Sequence, residues 1–183
     1  MVRKTFAAPL VFFIGWLFTP SGTTARAQAR PPAPHEVEAA YLYQFGKYVE
    51  WPSDAQSDGG SFFICVLGAD PFGSALDEVV RGKVISSRQV AVRRILGSSE
   101  SQDCRILFVS PSEESRVPAI LKSLEGTGIL TVGRGAQFTR RGGMIAFTSE
   151  DRKVRFVVNL AAAEAAKLTL SSQLLRLAVS VER

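Results

Sequence analysis

Histidine and cysteine are both scarce in this 183-residue sequence, which contains one histidine and two cysteines. The single histidine, His35, lies in a proline-rich stretch that offers no rigid position for a catalytic base, and a Ser-His-Asp or Cys-His apparatus needs such a base. Two cysteines and one histidine also cannot supply the four ligands of an ordinary structural zinc site. We therefore predict no catalytic residue, no metal site and no cofactor, and we do not expect an enzyme.

Long apolar runs are equally scarce. The one extended run, residues 6–18, is shorter than the roughly 20 apolar residues that a membrane-spanning helix needs. Arg3 and Lys4 precede this run and a small-residue site at 25–27 follows it, which is the order of a secretory signal peptide. We predict cleavage after residue 27 and export of a soluble chain. The alternative is an uncleaved N-terminal anchor.

A strong excess of either charge sign is missing as well. The full sequence carries a formal net charge of +5, and removal of the three basic residues of the leader, Arg3, Lys4 and Arg26, lowers this value to +2. A nearly neutral exported chain gives no electrostatic reason to expect nucleic-acid binding. Its length favours one folded domain with a sizeable core. We assign residues 1–27 to the signal peptide, 28–35 to a disordered lead and 36–183 to a single domain.

Apolar runs of strand length alternate with helical patterns through most of this domain. Residues 62–67 and 104–109 are almost continuously apolar, which is typical of strands covered on both faces of a parallel sheet. Two later segments joined by a polar turn at 149–152 indicate an antiparallel hairpin. We predict an α/β fold, with a mixed, mostly parallel sheet, flanking helices and a C-terminal antiparallel hairpin. The predicted strands are 62–67, 89–95, 104–109, 129–132, 144–148 and 153–159, and the predicted helices are 36–49, 72–80, 110–124 and 161–167. A final helix is predicted after Ser171 or Ser172. It presents Leu174, Leu175, Ala178 and Val179 to the core.

The two cysteines, Cys65 and Cys104, lie in the first two buried strands. In an oxidising compartment an even pair indicates a disulfide. The bridge would close a loop of about 40 residues and stabilise the fold by roughly 4 kcal/mol in the chain-entropy model. If the two strands are neighbours, their separation of about 4.8 Å permits the bond. The alternative is two buried thiols.

Two glycine-containing turns follow predicted strands, where an α/β sheet can bind a ligand. The first runs from Gly68 through Asp70 to Gly73, and the second begins with Gly133 and Arg134. Free backbone N–H groups at such a turn can contact an anion, although neither turn carries a complete nucleotide-binding motif. Tight turns without a ligand are the simpler interpretation. The alternative function for the protein is therefore a sensory module that binds a small molecule in these loops.

Aromatic residues are concentrated in the first predicted helix and at its exit. Tyr41, Phe45 and Tyr48 share one helical face, which predicts core packing. Tyr43 lies off that face and Trp51 follows the helix. Because tyrosine and tryptophan are enriched at protein interfaces, these two residues are candidates for a partner surface. Packing of the same residues in the core is the competing interpretation.

The stretch YLYQFGKYVEWP, residues 41–52, resembles the opening of the YfiR family of periplasmic regulators of cyclic-di-GMP signalling. The resemblance rests on an ordered set of short motifs that extends over nearly the whole exported chain, and no single motif is specific. The further members of the set are ICVLG at 64–68, DPFG at 70–73, CRILFV at 104–109, ILTV at 129–132, Phe138, GGMI at 142–145, RFVVN at 155–159 and LSSQLLRLA at 170–178.

The resemblance implies a periplasmic repressor without catalytic activity. Proteins of this family bind the periplasmic sensor region of an inner-membrane diguanylate cyclase and hold it inactive, and an outer-membrane OmpA-like lipoprotein can sequester the repressor. A homodimer is typical. Cys65 and Cys104 match one of the family's disulfide pairs, whereas a second pair near the C-terminal hairpin is missing from this sequence. The resemblance thus leaves open whether the remaining bridge is regulatory or structural.

Six residues of the family motifs are candidates for an interface. Glycine permits close approach of another backbone, but it serves a turn equally well. If the alternative function is correct, the same exported domain is instead a periplasmic sensory module that binds a small molecule. The six candidates are Tyr43, Trp51, Pro52, Gly142, Gly143 and Asn159.

Overall fold

The computed structural model describes residues 30–52 and 60–182. The predicted signal peptide and most of the loop after Pro52 lie outside the described residues. The chain divides into two units, Met1–Pro31 and Pro32–Arg183, and the second contains all of the secondary structure described below.

An eight-stranded sheet forms the centre of the second unit, in the order β10-β8-β7-β6-β5-β2-β4-β3, and β1 and β9 form a separate antiparallel pair. Its central strands β4, β2, β5, β6 and β7 are parallel, whereas β8 pairs antiparallel with β7. This arrangement confirms the predicted fold class, including the hairpin. The helices are α1 Pro34–Tyr48, α2 Ser74–Val80, α3 Val117–Ser123, α4 Ala136–Arg140, α5 Leu160–Ala165 and α6 Ser172–Leu177, and the strands are β1 Val49–Glu50, β2 Phe62–Leu67, β3 Val84–Ile85, β4 Arg88–Ile95, β5 Cys104–Val109, β6 Leu130–Arg134, β7 Ile145–Glu150, β8 Lys153–Asn159, β9 Thr169–Leu170 and β10 Ser180–Glu182.

Both faces of the large sheet are covered, which explains the continuous apolar runs of β2 and β5. One face packs against α1, where the ring of Phe45 lies 5.1 Å from that of Phe156 and 5.8 Å from that of Phe147. The other face packs against α3 and α4, where Phe138 and Ile120 are buried. Side chains that alternate along a strand are therefore buried on either side.

Helix α1 begins two residues earlier than predicted, inside the expected disordered lead. Pro34 occupies the first turn, where a residue without an N–H is well tolerated. The carboxylate of Glu36 accepts a hydrogen bond from the backbone N–H of Ala33 at 2.6 Å and so satisfies a donor at the helix start. His35 therefore lies in the first helical turn.

Two later segments differ from their predictions. Residues 111–116 form a 3₁₀ helix, and the α-helix starts only at Val117, because Pro118 belongs at the beginning of a helix and not in its interior. Helix α6 ends at Leu177, and the chain then forms the edge strand β10. Val179, predicted to face the core, is 52% exposed and is not a core residue. Its N–H instead donates to the carbonyl of Phe156 at 2.9 Å, because the chain has turned onto the sheet edge.

A bulge near the start of β5 makes the disulfide possible. Cys104 lies opposite Phe63, whereas Ile106 lies opposite the very next residue of β2, so Arg105 is the additional residue. In a regular strand Cys104 and Ile106 would share a face. Here Ile106 is buried on the α1 side, whereas Cys104 is buried on the α3 side beside Cys65. The predicted disulfide between the two cysteines is confirmed, with Cα atoms 5.8 Å apart.

Candidate functional site

A cleft of about 580 Å³ lies where several strands of the large sheet begin, and we call it the amino-end cleft. Its walls come from the last turn of α1, from β1, from the first residue of β2 and from the β3–β4 hairpin. The volume is within the range of small-molecule sites. The lining includes two aromatic rings and four charged side chains, Trp51, Phe62, Lys47, Glu50, Arg88 and Arg105.

Trp51 is held at this cleft by the strand that precedes it. β1 pairs with β9, and the N–H of Ser171 donates to the carbonyl of Tyr48 at 2.9 Å. The indole meets the ring of Phe62 edge to face, with ring centroids 5.3 Å apart. Trp51 and the adjacent Pro52 are half-buried. The indole thus packs on the core and still contributes to the wall of the cleft.

Three cationic side chains reach the amino-end cleft from three separate elements. Lys47 lies in the last turn of α1, and its ammonium is 6.0 Å from the ring centroid of Tyr43, the other aromatic candidate, which is half-buried against the core. Arg88 begins β4, and Arg105 is the bulged residue of β5. Among the described residues of the lining, Glu50 contributes an acidic side chain at the same cleft.

Burial and a neighbouring charge both act on the guanidinium of Arg105. Burial lowers the pKa of its guanidinium, the charge of Arg88 lowers that pKa further, and the charge of Asp103 partly opposes both effects. Like charges held close together in a partly desolvated position disfavour the charged form of each. Such a shift in a cleft is typical of functional sites, although structural ion pairs also produce it.

The first predicted ligand loop is stabilised by the protein's own side chains. The N–H of Ala69 donates to the hydroxyl of Ser112 at 3.0 Å. A Cβ atom at Gly68 would lie only 2.5 Å from that hydroxyl oxygen, so the space above this glycine is filled. Asp70 accepts a hydrogen bond from the N–H of Phe72 at 2.7 Å. The structure therefore gives this turn a packing role, and its predicted ligand stays a prediction.

Arg94 holds the same loop against helix α2. Its guanidinium donates to Asp70 at 2.9 Å, to Asp77 at 2.9 Å and to the carbonyl of Gly73 at 2.9 Å. Hydrogen bonding to Arg94 holds the pKa of Asp77 below its usual value, and the same bond to Asp77 raises the pKa of Arg94. This cluster ties the end of β4 to the turn after β2.

The second predicted ligand turn borders a cleft of about 420 Å³, and its two residues also contact side chains of the same chain. Gly133 lies inside β6, where a Cβ atom would be 2.5 Å from the ring of Phe138. Arg134 ends the strand, and its Nε atom lies 3.1 Å from both carboxylate oxygens of Glu38 on α1. Glu38 is 7% exposed and the Arg134 side chain is 33% exposed, so this ion pair is partly buried. Sequence reasoning missed the pair because 96 positions separate its two members.

The remaining motif residues have local structural roles. Gly142 adopts a φ of +99° just after α4, a conformation that favours glycine. A Cβ atom at Gly143 would overlap the ring of Phe138. The Asn159 side chain accepts from the N–H of Ala162 at 2.9 Å and so caps helix α5. These contacts account for the three motif residues without a partner, and their place in an interface stays a prediction.

Two negative findings apply to residues 30–52 and 60–182. No group of three or more histidine, cysteine, aspartate or glutamate side chains is arranged to hold a metal ion in this part of the chain. Within the same residues, no helix combines the length and the apolar character needed to cross a membrane.

Comparison with known sequences and structures places the fold and the motifs in context. Residues 35–179 match the YfiR/HmsC-like family. The search of curated proteins found no match. A conserved domain protein from Vibrio cholerae O1 biovar El Tor has a similar structure, with a TM-score of 0.57 and 12% identity over 82% of this chain. The ABC domain in complex with L-Trp from Streptococcus pneumoniae is similar with a TM-score of 0.52 and 10% identity over 81% of this chain. In both cases the match spans 60% of the other chain, and at these identities the likeness concerns the fold.

Proposed function

The chain belongs to the YfiR/HmsC-like family, and on that premise we propose that it represses an inner-membrane diguanylate cyclase by binding the periplasmic sensor region of that enzyme. The family consists of periplasmic, non-enzymatic regulators of cyclic-di-GMP signalling. The observation that carries the proposal is the family match across residues 35–179, nearly the whole folded unit.

The remaining features of the proposal follow the same relationship. The chain acts as a homodimer, an outer-membrane OmpA-like lipoprotein competes for it, and a cleaved signal peptide at 1–27 exports it. Each is a separate expectation, and repression itself requires only the contact with the cyclase.

Within this proposal, the contact with the cyclase uses the side of the domain formed by α1 and the amino-end cleft. Trp51 is half-buried at this cleft, and Tyr43 is half-buried on the adjoining helix. Tryptophan and tyrosine are enriched among the residues that supply most of the binding energy in protein interfaces. Lys47, exposed beside both, offers a charge that can be changed without disturbing the core.

Deletion of the gene tests repression directly. The proposal expects the cellular concentration of cyclic-di-GMP to rise in the deletion strain and to return to its former value when the gene is restored. If the concentration stays unchanged in the deletion strain under every growth condition tried, the protein is not a repressor of this pathway.

Reversal of one surface charge tests the contact surface. Lys47→Glu should weaken repression and so raise cyclic-di-GMP, because an opposite charge at an interface slows association and disfavours docking. Lys153→Glu is the matched control, since Lys153 is also exposed but starts β8 at the other end of the sheet. Equal effects of the two substitutions, at equal protein levels in the periplasm, would contradict the assignment of this surface.

A further inference from the structure

A second cleft lies at the opposite end of the sheet, where β5 and β6 end, and we call it the carboxyl-end cleft. Its volume of about 420 Å³ is within the range of small-molecule sites. One wall comes from the end of β5 and the 3₁₀ helix at 111–116, and the other comes from the end of β6 and helix α4. Open α/β sheets bind ligands outside the carboxyl ends of their parallel strands. The position and the size of this cleft are therefore those of a ligand site.

The floor of the carboxyl-end cleft is apolar and belongs to the hydrophobic core. Val109, Val117 and Phe138 line the cleft, and each is 5% exposed or less. Because closely packed side chains hold their positions, this floor exists before a ligand arrives. Pro111 and Ala136, which are less buried, add apolar surface to the two walls. An apolar group that settles among these side chains leaves water, which favours binding.

Two guanidiniums at the rim of this cleft are available to a ligand. Arg140 ends helix α4, Arg141 follows it, and both residues are exposed. Within residues 30–52 and 60–182, the Arg140 side chain makes no hydrogen bond or ion pair. The Nη1 group of Arg141 donates to the carbonyl of Glu114 at 3.1 Å, which ties the two walls together and leaves the other donors of Arg141 for a ligand. The planar fork of an arginine matches the paired oxygens of a carboxylate or a phosphate.

The remaining charges of the cleft reduce this positive charge without cancelling it. Arg134 also lines the cleft, but its guanidinium bonds to Glu38 on α1 and is neutralised there. Among the described residues of the lining, Glu114 contributes the one acidic side chain, and its carboxylate forms no ion pair with the two rim arginines. With Glu38 included, these groups leave one net positive charge, which favours an anion over a cation.

From these observations we infer that the carboxyl-end cleft binds a small organic oxyanion. Its carboxylate or phosphate accepts hydrogen bonds from Arg140 and Arg141, and its apolar part lies on the floor formed by Val109, Val117 and Phe138. The second predicted ligand turn is a border of this site, and helix α4, which follows that turn, brings the charges to it. The inference goes beyond repression and does not depend on it.

Isothermal titration of the purified protein at constant ionic strength tests the inference. Phenylacetate and phenyl phosphate represent the two anion sources, 2-phenylethanol is their uncharged counterpart, and acetate and inorganic phosphate lack the apolar part. We expect one molecule of phenylacetate or of phenyl phosphate to bind per chain, and the alcohol and the bare anions to bind at least about tenfold more weakly. The stronger of the two aromatic anions identifies the class of ligand. Absence of binding by both of them, or equal binding of the alcohol or of the bare anion, overturns the inference.

Substitutions at exposed arginines locate the site, and circular dichroism checks that each variant is folded. Arg140→Gln and Arg141→Gln should each weaken binding of the stronger anion by about tenfold, since each removes a charge-assisted contact. Arg141→Lys should recover part of the loss, because it keeps the charge without the planar fork. Arg81→Gln is the matched control, since it removes the same charge from an exposed position between α2 and the strand β3 that lines the amino-end cleft. Equal weakening by Arg81→Gln, or unchanged binding in both rim variants, would refute the location.

Failure of this inference and failure of the proposed function are distinguishable. The titration contains no cyclase, so absence of probe binding says nothing against repression. The deletion experiment contains no probe, so an unchanged cyclic-di-GMP concentration says nothing against the carboxyl-end cleft.

Discussion

Gly143→Ala should destabilise the fold by about 3 kcal/mol, although it adds a single methyl group. Gly143 is buried and its φ is outside the left-handed region, so the backbone accepts alanine. The new Cβ atom would overlap three carbon atoms of the Phe138 ring. The ring cannot move away freely, because Gly133 packs on it closely enough that a Cβ atom there would be 2.5 Å from the ring. An inserted methyl group in a closed core costs typically about 1–3 kcal/mol, and this site belongs at the upper end.

Urea denaturation monitored by far-ultraviolet circular dichroism measures this loss of unfolding free energy. Gly97→Ala is the matched control, because its new Cβ atom would meet its nearest neighbour, Ser99, at an ordinary 3.5 Å; it should cost under about 1 kcal/mol. In a Phe138→Ala background the ring is gone, so Gly143→Ala should cost under about 1 kcal/mol there too. Equal costs of Gly143→Ala in both backgrounds would refute the reasoning, as would a cost in the native background no greater than that of the control.

Three further predictions concern the disulfide and two ion pairs. Cys65 and Cys104 are 39 positions apart, so reduction of their bond should lower the unfolding free energy by about 4 kcal/mol. Urea titrations with and without reductant measure this difference. A loss below about 1 kcal/mol would contradict the chain-entropy reasoning. Asp77→Asn should cost about 0.5–1 kcal/mol at pH 7, a value kept small because solvent reaches the pair with Arg94, whose side chains are 38% and 43% exposed. The folded pKa of Asp77 lies below its unfolded value of 3.8, so this stabilisation is present above pH 3.8 and is lost as the pH falls through the folded pKa. The stabilities of wild type and variant should therefore converge in acid denaturation. A difference that stays constant with pH would contradict the pairing of Asp77 with Arg94. Glu38→Gln should cost about 2 kcal/mol in urea denaturation, because it leaves a guanidinium in a partly buried position without its carboxylate; a cost near zero would show that the pair adds no stability.

Local sequence patterns predicted the long strands, because a strand that is buried on both faces has a nearly continuous apolar sequence. The bounds of β2, β5 and β8 agree with their predicted ranges, and the hairpin of β7 and β8 follows from its polar turn. The short strands β1, β3, β9 and β10 have two or three residues, too few for any periodic pattern. Their places are set by the strands that they pair with.

The candidate site likewise contains some residues that the sequence marked and others that only the fold brought together. Trp51 stood out in the sequence as an aromatic residue just after the first predicted helix, whereas Arg88 had no motif to distinguish it and Arg105 was visible only as part of the CRILFV motif. They meet only because β4 and β5 lie on either side of β2 and because a bulge redirects Arg105. Similarly, the Gly142-Gly143 motif was visible, but its reason, the ring of Phe138, was not.

The sequence by itself determined the α/β class, the family motifs and, with only two cysteines present, which residues form the disulfide. Tertiary structure decided the partly buried pair of Glu38 and Arg134, the packing of Phe138 against two glycines and the cluster of cations at the amino-end cleft. The physical reason is distance along the chain. Hydrophobic periodicity is a local property that each segment carries alone, whereas charge pairs, steric complementarity and clefts arise between segments that only the folded sheet brings together.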